Sequence, residues 1–263
     1  MTSLLRSCLV LAGLATGCAM GTHDSSSDHG LAGLNYVAQG DSYASGTGTR
    51  EYYDTGCLRS KHSYAKQLAT QEGMYLNHVA CSGARIPDVR ANQLGALSED
   101  TNLVTISIGG NDAGFASVIT QCAKPWPWTC TADIANARSF IENTLPGQLD
   151  SLYTEIETRA PYARVMVVGY PRLFNGNECN FFARINATEQ SALNSVADLL
   201  ATKISGLASA HGFDFVDPRD AFNRHRVCDS VEWVNGLSNP IVESYHPNRL
   251  GHDAFTDLIS DVL

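Results

Sequence analysis

Residues 37–46 read Val37-Ala38-Gln39-Gly40-Asp41-Ser42-Tyr43-Ala44-Ser45-Gly46, an apolar run that ends in a glycine, an acid and a serine. The run from Leu34 to Ala38 has the length and composition of a buried strand. Gly40 ends it by permitting a backbone angle that residues with a side chain resist. Ser42 therefore falls at the carboxyl end of a strand. In open α/β sheets ligands bind at that edge, because the loops there form a crevice into which the adjoining helices point their positive ends. A serine in a Gly/Ser-rich turn is commonly only a turn or N-cap residue, so Ser42 gains weight only if other strands end in the same way.

Two later strand ends repeat the arrangement, and two further strands follow. Residues 75–79 form a second strand that runs into Ala80-Cys81-Ser82-Gly83-Ala84-Arg85. Leu103 to Ile108, reading Leu-Val-Thr-Ile-Ser-Ile, is the clearest buried strand and stops at Gly109-Gly110-Asn111-Asp112. Residues 163–169 form a fourth strand ending at Tyr170-Pro171, and residues 213–216 a short fifth. Between them lie helical periodicities: 60–72 with Ser60 as its cap, 86–94 with Pro87 in the first turn, 132–159 with a break near Pro146-Gly147, 187–210, and a closing helix over 249–262. Five alternations of strand and helix predict an α/β fold: a doubly wound, mostly parallel five-stranded sheet with helices on both faces.

The 263-residue chain is long enough for one large core, and a single domain over residues 34–263 is expected. A net charge of −9 and the lack of any Lys/Arg-rich run argue against a nucleic-acid partner. Neither a dinucleotide-binding glycine fingerprint nor a phosphate-cradling loop comes after the first strand. Residues 1–21 read as a secretory signal, with Arg6 ahead of the apolar run Cys8–Ala15, and residues 22–33 as a polar linker. Ala15-Thr16-Gly17-Cys18 also approximates a lipoprotein signal, which would anchor the chain through an acylated Cys18; secretion is the primary expectation. No other segment is long and apolar enough to span a membrane.

Past the leader stand Cys57, Cys81, Cys122, Cys130, Cys179 and Cys228, an even number that in an exported protein favours three disulfides. Fifteen pairings are open on spacing; the sequential one is the simplest. The cysteines lack the spacing of a zinc site, so no metal is expected. Trp126 and Trp128, between Cys122 and Cys130, are expected to pack beside the site loop or to wall an apolar pocket, with packing preferred. Asn186-Ala187-Thr188 is a glycosylation sequon.

The last informative block is Glu243-Ser244-Tyr245-His246-Pro247-Asn248. Pro247 biases His246 away from helical geometry and holds its imidazole on a rigid loop, from which it can fold back over the strand ends.

Taken in order, Gly40-Asp41-Ser42, Gly83, Asn111 and Ser-x-His-Pro around His246 resemble the four blocks of the SGNH hydrolases, also called the GDSL esterase and lipase family. The similarity runs from about Tyr36 to the C-terminus and looks closest to secreted actinobacterial lipases and esterases. The resemblance implies a flavodoxin-like sheet, sequential disulfides Cys57–Cys81, Cys122–Cys130 and Cys179–Cys228, and no cofactor. It assigns Ser42 as nucleophile and His246 as general base and acid. It assigns the oxyanion hole to the backbone N–H groups of Ser42 and Gly83 and the side-chain amide of Asn111.

These types suit the chemistry. Serine at its free pKa is a weak nucleophile and needs a base within hydrogen-bond reach, which histidine supplies near neutral pH. The oxygen that becomes negative needs preorganised donors, and Asn111 donates without adding charge. The group that orients His246 is left between the Glu243 side chain, three residues before the histidine, and a main-chain carbonyl of Ser244 or Glu243. Asp41 and Asp112 read as acceptors that brace their loops.

The expected function is a secreted serine carboxylester hydrolase working on acyl esters or lipids through an acyl-enzyme, as a monomer. A carbohydrate or xylan acetyl esterase and a non-catalytic surface binding module are the alternatives.

Overall fold

The computed structural model describes residues 30–124, 127–180 and 182–263. The expected signal segment 1–21, with Cys18, lies outside the described residues, as does Trp126. Residues 31–263 make one compact unit. Its boundary falls slightly before the expected linker end: the N–H of Gly33 donates to the carbonyl of Gly73 at 3.0 Å.

The main sheet has five strands: β1 (Asn35–Gly40), β4 (Tyr75–His78), β5 (Leu103–Ser107), β6 (Arg164–Val168) and β7 (Asp214–Val216). Their spatial order is β4-β1-β5-β6-β7, and every neighbouring pair is parallel. The order reverses between β1 and β5. That is the switch point at which a parallel sheet opens a crevice beyond its strand ends. Burial tracks position. All of β5 and everything past the first residue of β1 are buried, as expected of strands covered on both faces, whereas edge strand β4 alternates exposed and half-buried residues.

The helices are α1 (Ser42–Ser45), α2 (Tyr64–Gln71), α3 (Ile86–Asn92), α4 (Phe115–Cys122), α5 (Thr131–Asn143), α6 (Leu145–Arg159), α7 (Ala187–Ala210) and α8 (Arg249–Ser260). Helix α2 packs on α8, while α5, α6 and α7 pack on one another. Two local outcomes, at α2 and α4, differ from the sequence expectation, and the expected break near Pro146-Gly147 is present. Helix α2 starts at Tyr64 and is capped by Ser63, because Ser60 belongs to a short antiparallel pair, β2 (Tyr52–Asp54) with β3 (Arg59–Ser60), and its hydroxyl donates to the Glu51 carbonyl. The long periodicity over 132–159 is two helices: Pro146 sits in the first turn of α6, where its missing N–H costs nothing. Helix α4 occupies a stretch for which no helix is expected from the sequence. The sequon residue Asn186 caps α7 in a reciprocal capping box with Glu189, each side chain accepting the other's backbone N–H at 3.0 Å.

Gly40 is the tightest point of the sheet. It has φ +121°, and a Cβ placed on it would lie 2.2 Å from the carbonyl oxygen of Ser107 in β5. Both its backbone groups are also held by the buried Gln93 amide: the Gly40 N–H donates to Oε1 at 2.7 Å, and Nε2 donates to the Gly40 carbonyl at 2.9 Å. One further bond, from Asp41 N–H to the Ser107 carbonyl at 2.9 Å, then sends the chain out of the sheet towards Ser42. Replacing Gly40 by alanine is expected to destabilise the protein by roughly 3 kcal/mol or more, since a backbone clash adds to a strained φ. Urea denaturation monitored by circular dichroism checks this.

Candidate active site

Asp41 caps α1. Its Oδ1 accepts the Tyr43 N–H at 2.9 Å, and Ser42 occupies the first helical position. The Ser42 hydroxyl lies 2.8 Å from Nε2 of His246. The other ring nitrogen, Nδ1, stands 2.9 Å from the carbonyl oxygen of Ser244. A carbonyl can only accept, so Nδ1 carries the proton and Nε2 presents a lone pair to the serine O–H.

His246 reaches this position through backbone pairing. Its carbonyl accepts the Asn235 N–H, and the Tyr245 N–H donates to the Asn235 carbonyl, both at 2.9 Å. The Tyr43 hydroxyl, beside Ser42, donates to the Tyr245 carbonyl at 2.9 Å. Two segments about 200 residues apart are thereby bolted together.

The Glu243 side chain does not orient the histidine. Its carboxylate is buried, accepts the Tyr52 hydroxyl at 2.5 Å and faces Nε of Arg50 at 3.8 Å. The sequence alternative that made this side chain the third member is corrected. Spacing alone put an acid three residues before the imidazole, but the short 3₁₀ turn at Ile241–Glu243 aims it at β2 and leaves the Ser244 carbonyl facing the ring.

The three expected donors surround the same cavity. Ser42, Gly83 and Asn111 all line a cavity of about 330 Å³, together with His246, Ser244 and Asp41. Among the described residues, the backbone N–H groups of Ser42 and Gly83 have no acceptor. The Asn111 amide is steadied by donating to the Ala84 carbonyl at 3.0 Å, which leaves its second N–H available. Gly83 is needed for a reason other than close approach. A Cβ there would meet nothing within 4 Å, but φ is +82°, a region that side chains disfavour. Asp112 accepts the Ile86 N–H and holds the start of α3 beside this loop.

The three disulfides join Cys57 to Cys81, Cys122 to Cys130 and Cys179 to Cys228. The first ties the Gly83 loop to the β2–β3 connection, where the Ser82 N–H also donates to the Cys57 carbonyl. The second staples the end of α4 to the start of α5.

The rest of the cavity is apolar. Phe115, Ala116, Ile119 and Ala123 come from α4 and its end, Ala197 and Leu200 from α7, and Leu237, Ile241 and Val242 from the chain before His246. The α4 wall escapes the sequence reading, although Phe115, Val118, Ile119 and Cys122 carry helical spacing. Trp128 is 62% exposed, with the Lys124 ammonium 5.6 Å from its ring centre, and it does not line the cavity. Neither role expected of it is realised, because the disulfide closes a short loop that leaves the ring outside. Tyr170 is a further site residue that the sequence reading misses, yet it stands at a strand end like the others.

Burial pushes His246 down to about 4, partly offset by the Ser244 carbonyl. Asp41, buried and beside Asp112, is pushed up to about 7 despite the hydroxyl of Tyr170 and the N–H of Tyr43.

A hydroxyl hydrogen-bonded to a neutral, oriented imidazole, with Ser42, Gly83 and Asn111 lining one mainly apolar cavity at the switch point of a parallel sheet, defines a serine hydrolase layout. Comparison with known proteins agrees. Residues 38–254 match the GDSL-like lipase/acylhydrolase family, and the chain belongs to it. A lipase of Streptomyces rimosus is 42% identical over 221 residues, 82% of each chain. The crystal structure of the extracellular lipase from that organism superposes with a TM-score of 0.83 at 39% identity, covering 88% of this chain and 100% of that one. That of phospholipase A1 from Streptomyces albidoflavus gives 0.83 at 38%, covering 88% and 99%. An acetylxylan esterase from Geobacillus stearothermophilus shares the fold, with a TM-score of 0.56 at 15% identity over 88% and 94%.

Glu243→Gln is expected to lower kcat/KM by less than about tenfold, whereas disabling a true triad carboxylate costs about 10⁴; steady-state kinetics on an aryl ester separates the two. Because His246 is pushed below its ordinary value, phosphonylation of Ser42 should persist at pH 5. It should be lost only as pH falls through about 4 and the imidazole takes up a proton. Labelling rate against pH reads this directly.

Proposed function

We propose that the protein is an exported serine carboxylester hydrolase that cleaves the acyl esters of lipids through an acyl-enzyme. The observation that carries this reading is the 2.8 Å contact between the Ser42 hydroxyl and Nε2 of His246, with Nδ1 held by a carbonyl, inside a mainly apolar cavity.

In the first step the Ser42 oxygen attacks the ester carbonyl carbon while its proton passes to Nε2. The carbonyl oxygen becomes an oxyanion that receives the N–H groups of Ser42 and Gly83 and the Asn111 amide. Losing one such donor costs about 10²–10³ in rate. The intermediate collapses, and the leaving alcohol takes the proton from His246. Water then gives its proton to the same nitrogen as it attacks the acyl carbon; a second collapse frees the acid and restores Ser42. The Ser244 carbonyl holds the imidazolium by its Nδ1–H, but without the full charge of a carboxylate. The oxyanion donors therefore carry more of the transition-state charge.

Several features support a lipid acyl ester over an acetylated sugar. The walls supplied by α4, α7 and Leu237–Val242 suit an alkyl chain and present few polar partners to a sugar ring. The Streptomyces relatives are described as a lipase and a phospholipase A1, while the acetylxylan esterase shares the fold alone. Export is supported by the N-terminal leader, the three disulfides and the extracellular description of the Streptomyces rimosus enzyme. No helix of the described residues is long and apolar enough to cross a membrane.

An organophosphonate carrying an alkyl chain should label the wild type and leave Ser42→Ala unlabelled. On p-nitrophenyl esters kcat/KM should rise from acetyl towards medium-length acyl groups. Equal labelling of both proteins would sink the nucleophile assignment. A preference for acetyl esters and acetylated xylan would favour the sugar esterase, and no hydrolysis at any chain length the binding module.

A further inference from the structure

Tyr170 comes just after β6, outside the four sequence blocks that carry the site, yet its hydroxyl makes two bonds inside it. It donates to Oδ2 of Asp41 at 2.6 Å and accepts the N–H of Gly110 at 3.3 Å. Asp41 precedes Ser42, and Gly110 precedes Asn111. The ring itself lies against Gly110, where a Cβ would come 3.2 Å from Tyr170 Cζ. Its edge meets the Tyr43 ring at 5.0 Å, and Tyr43 lies 5.5 Å from the His246 ring.

We propose that Tyr170 is a positioning residue for ester hydrolysis: its hydroxyl bridges the Asp41 carboxylate and the Gly110 N–H, and so sets the Ser42 oxygen against the Asn111 amide. The inference rests on the hydrolase reading of the site. The physical reason is that β1 and β5 are hydrogen-bonded only as far as Gly40 and Ser107, with one further bond at Asp41. Beyond that, the two loops carrying nucleophile and amide are joined across their tips by this tyrosine. Displacing a reacting group by about 1 Å can cost 10²-fold in rate.

The bridge also couples the site to pH. Asp41 titrates near 7 chiefly because it is buried. The titratable groups acting on it are Tyr170 after β6, Tyr43 in α1, Tyr64 in α2 and Asp112 after β5. The tyrosine O–H favours the charged carboxylate, since a donor stabilises an anion. A protonated Asp41 must turn one oxygen into a donor and loosens the bridge. The wild type is therefore expected to show a shallow fall in kcat as pH drops through about 7, above the final loss from His246 near 4.

The test compares wild type, Tyr170→Phe and Asp41→Asn on a p-nitrophenyl ester, with rates divided by the sites titrated with a phosphonate. Tyr170→Phe keeps the ring and removes both bonds. It should lower kcat per titrated site about 10- to 100-fold, change KM less than threefold, and move the step near pH 7 to higher pH. Asp41→Asn keeps an acceptor for the Tyr43 N–H and should abolish that step while lowering kcat.

Three results would overturn the proposal: an unchanged kcat per site in Tyr170→Phe, a loss explained wholly by fewer titrated sites, or a pH step that stays in place. If Tyr170→Phe does not fold, Asp41→Asn decides: a step that vanishes with lowered kcat supports the bridge, and a step that persists overturns it. An inactive wild type would bring down the hydrolase reading and this inference together, whereas an active wild type matched by Tyr170→Phe removes the inference alone.

Discussion

The contact on which the site depends is the one between Gly40 and Ser107. With a Cβ excluded at 2.2 Å from the Ser107 carbonyl, β1 and β5 come together at their ends more closely than side chains would allow. The Gln93 amide then fixes both polar groups of Gly40, so the residue has no freedom left. The chain can only leave the sheet at Asp41 and turn at once into α1. Ser42 is placed at the mouth of the crevice by backbone geometry before any side chain of the site acts on it.

The second constraint is electrostatic. His246 is oriented by a neutral carbonyl, and burial disfavours its charged form. Such a histidine is a weak base in its resting state, but it stays neutral and competent over a wide acid range. The buried Glu243 takes a different part. By accepting the Tyr52 hydroxyl and facing Arg50, it anchors the turn before His246 to the β2–β3 hairpin. Removal of a triad carboxylate and removal of this anchor are different perturbations, though the same residue type stands at the same spacing.

The walls of the cavity explain why such short segments are stapled. Helix α4 is eight residues long, too short to hold its shape alone. Its C-terminal cysteine is bonded to Cys130, next to the start of α5. The disulfide thus ties the cavity-lining surface of Phe115, Ala116 and Ile119 to α5. The Cys57–Cys81 bridge likewise ties the Gly83 loop to the β2–β3 connection.

Strand periodicity and small-residue strand ends were enough to read the five-stranded α/β architecture, since β5 and β6 are short, mainly apolar and largely buried and the strands that build the site stop at small residues. The resemblance of the four motif blocks to the SGNH hydrolases then singled out Ser42, Gly83, Asn111 and His246, whose types (a hydroxyl nucleophile, a glycine, an uncharged donor and a base) suit that chemistry. What spacing could not settle was direction. Whether Glu243 or the Ser244 carbonyl faces the imidazole depends on which way one 3₁₀ turn points, and the roles of Trp128, α4 and Tyr170 depend on which surfaces meet after folding. Those are contacts between segments tens to hundreds of residues apart, made by packing that leaves no period in the chain; only the tertiary structure decided them.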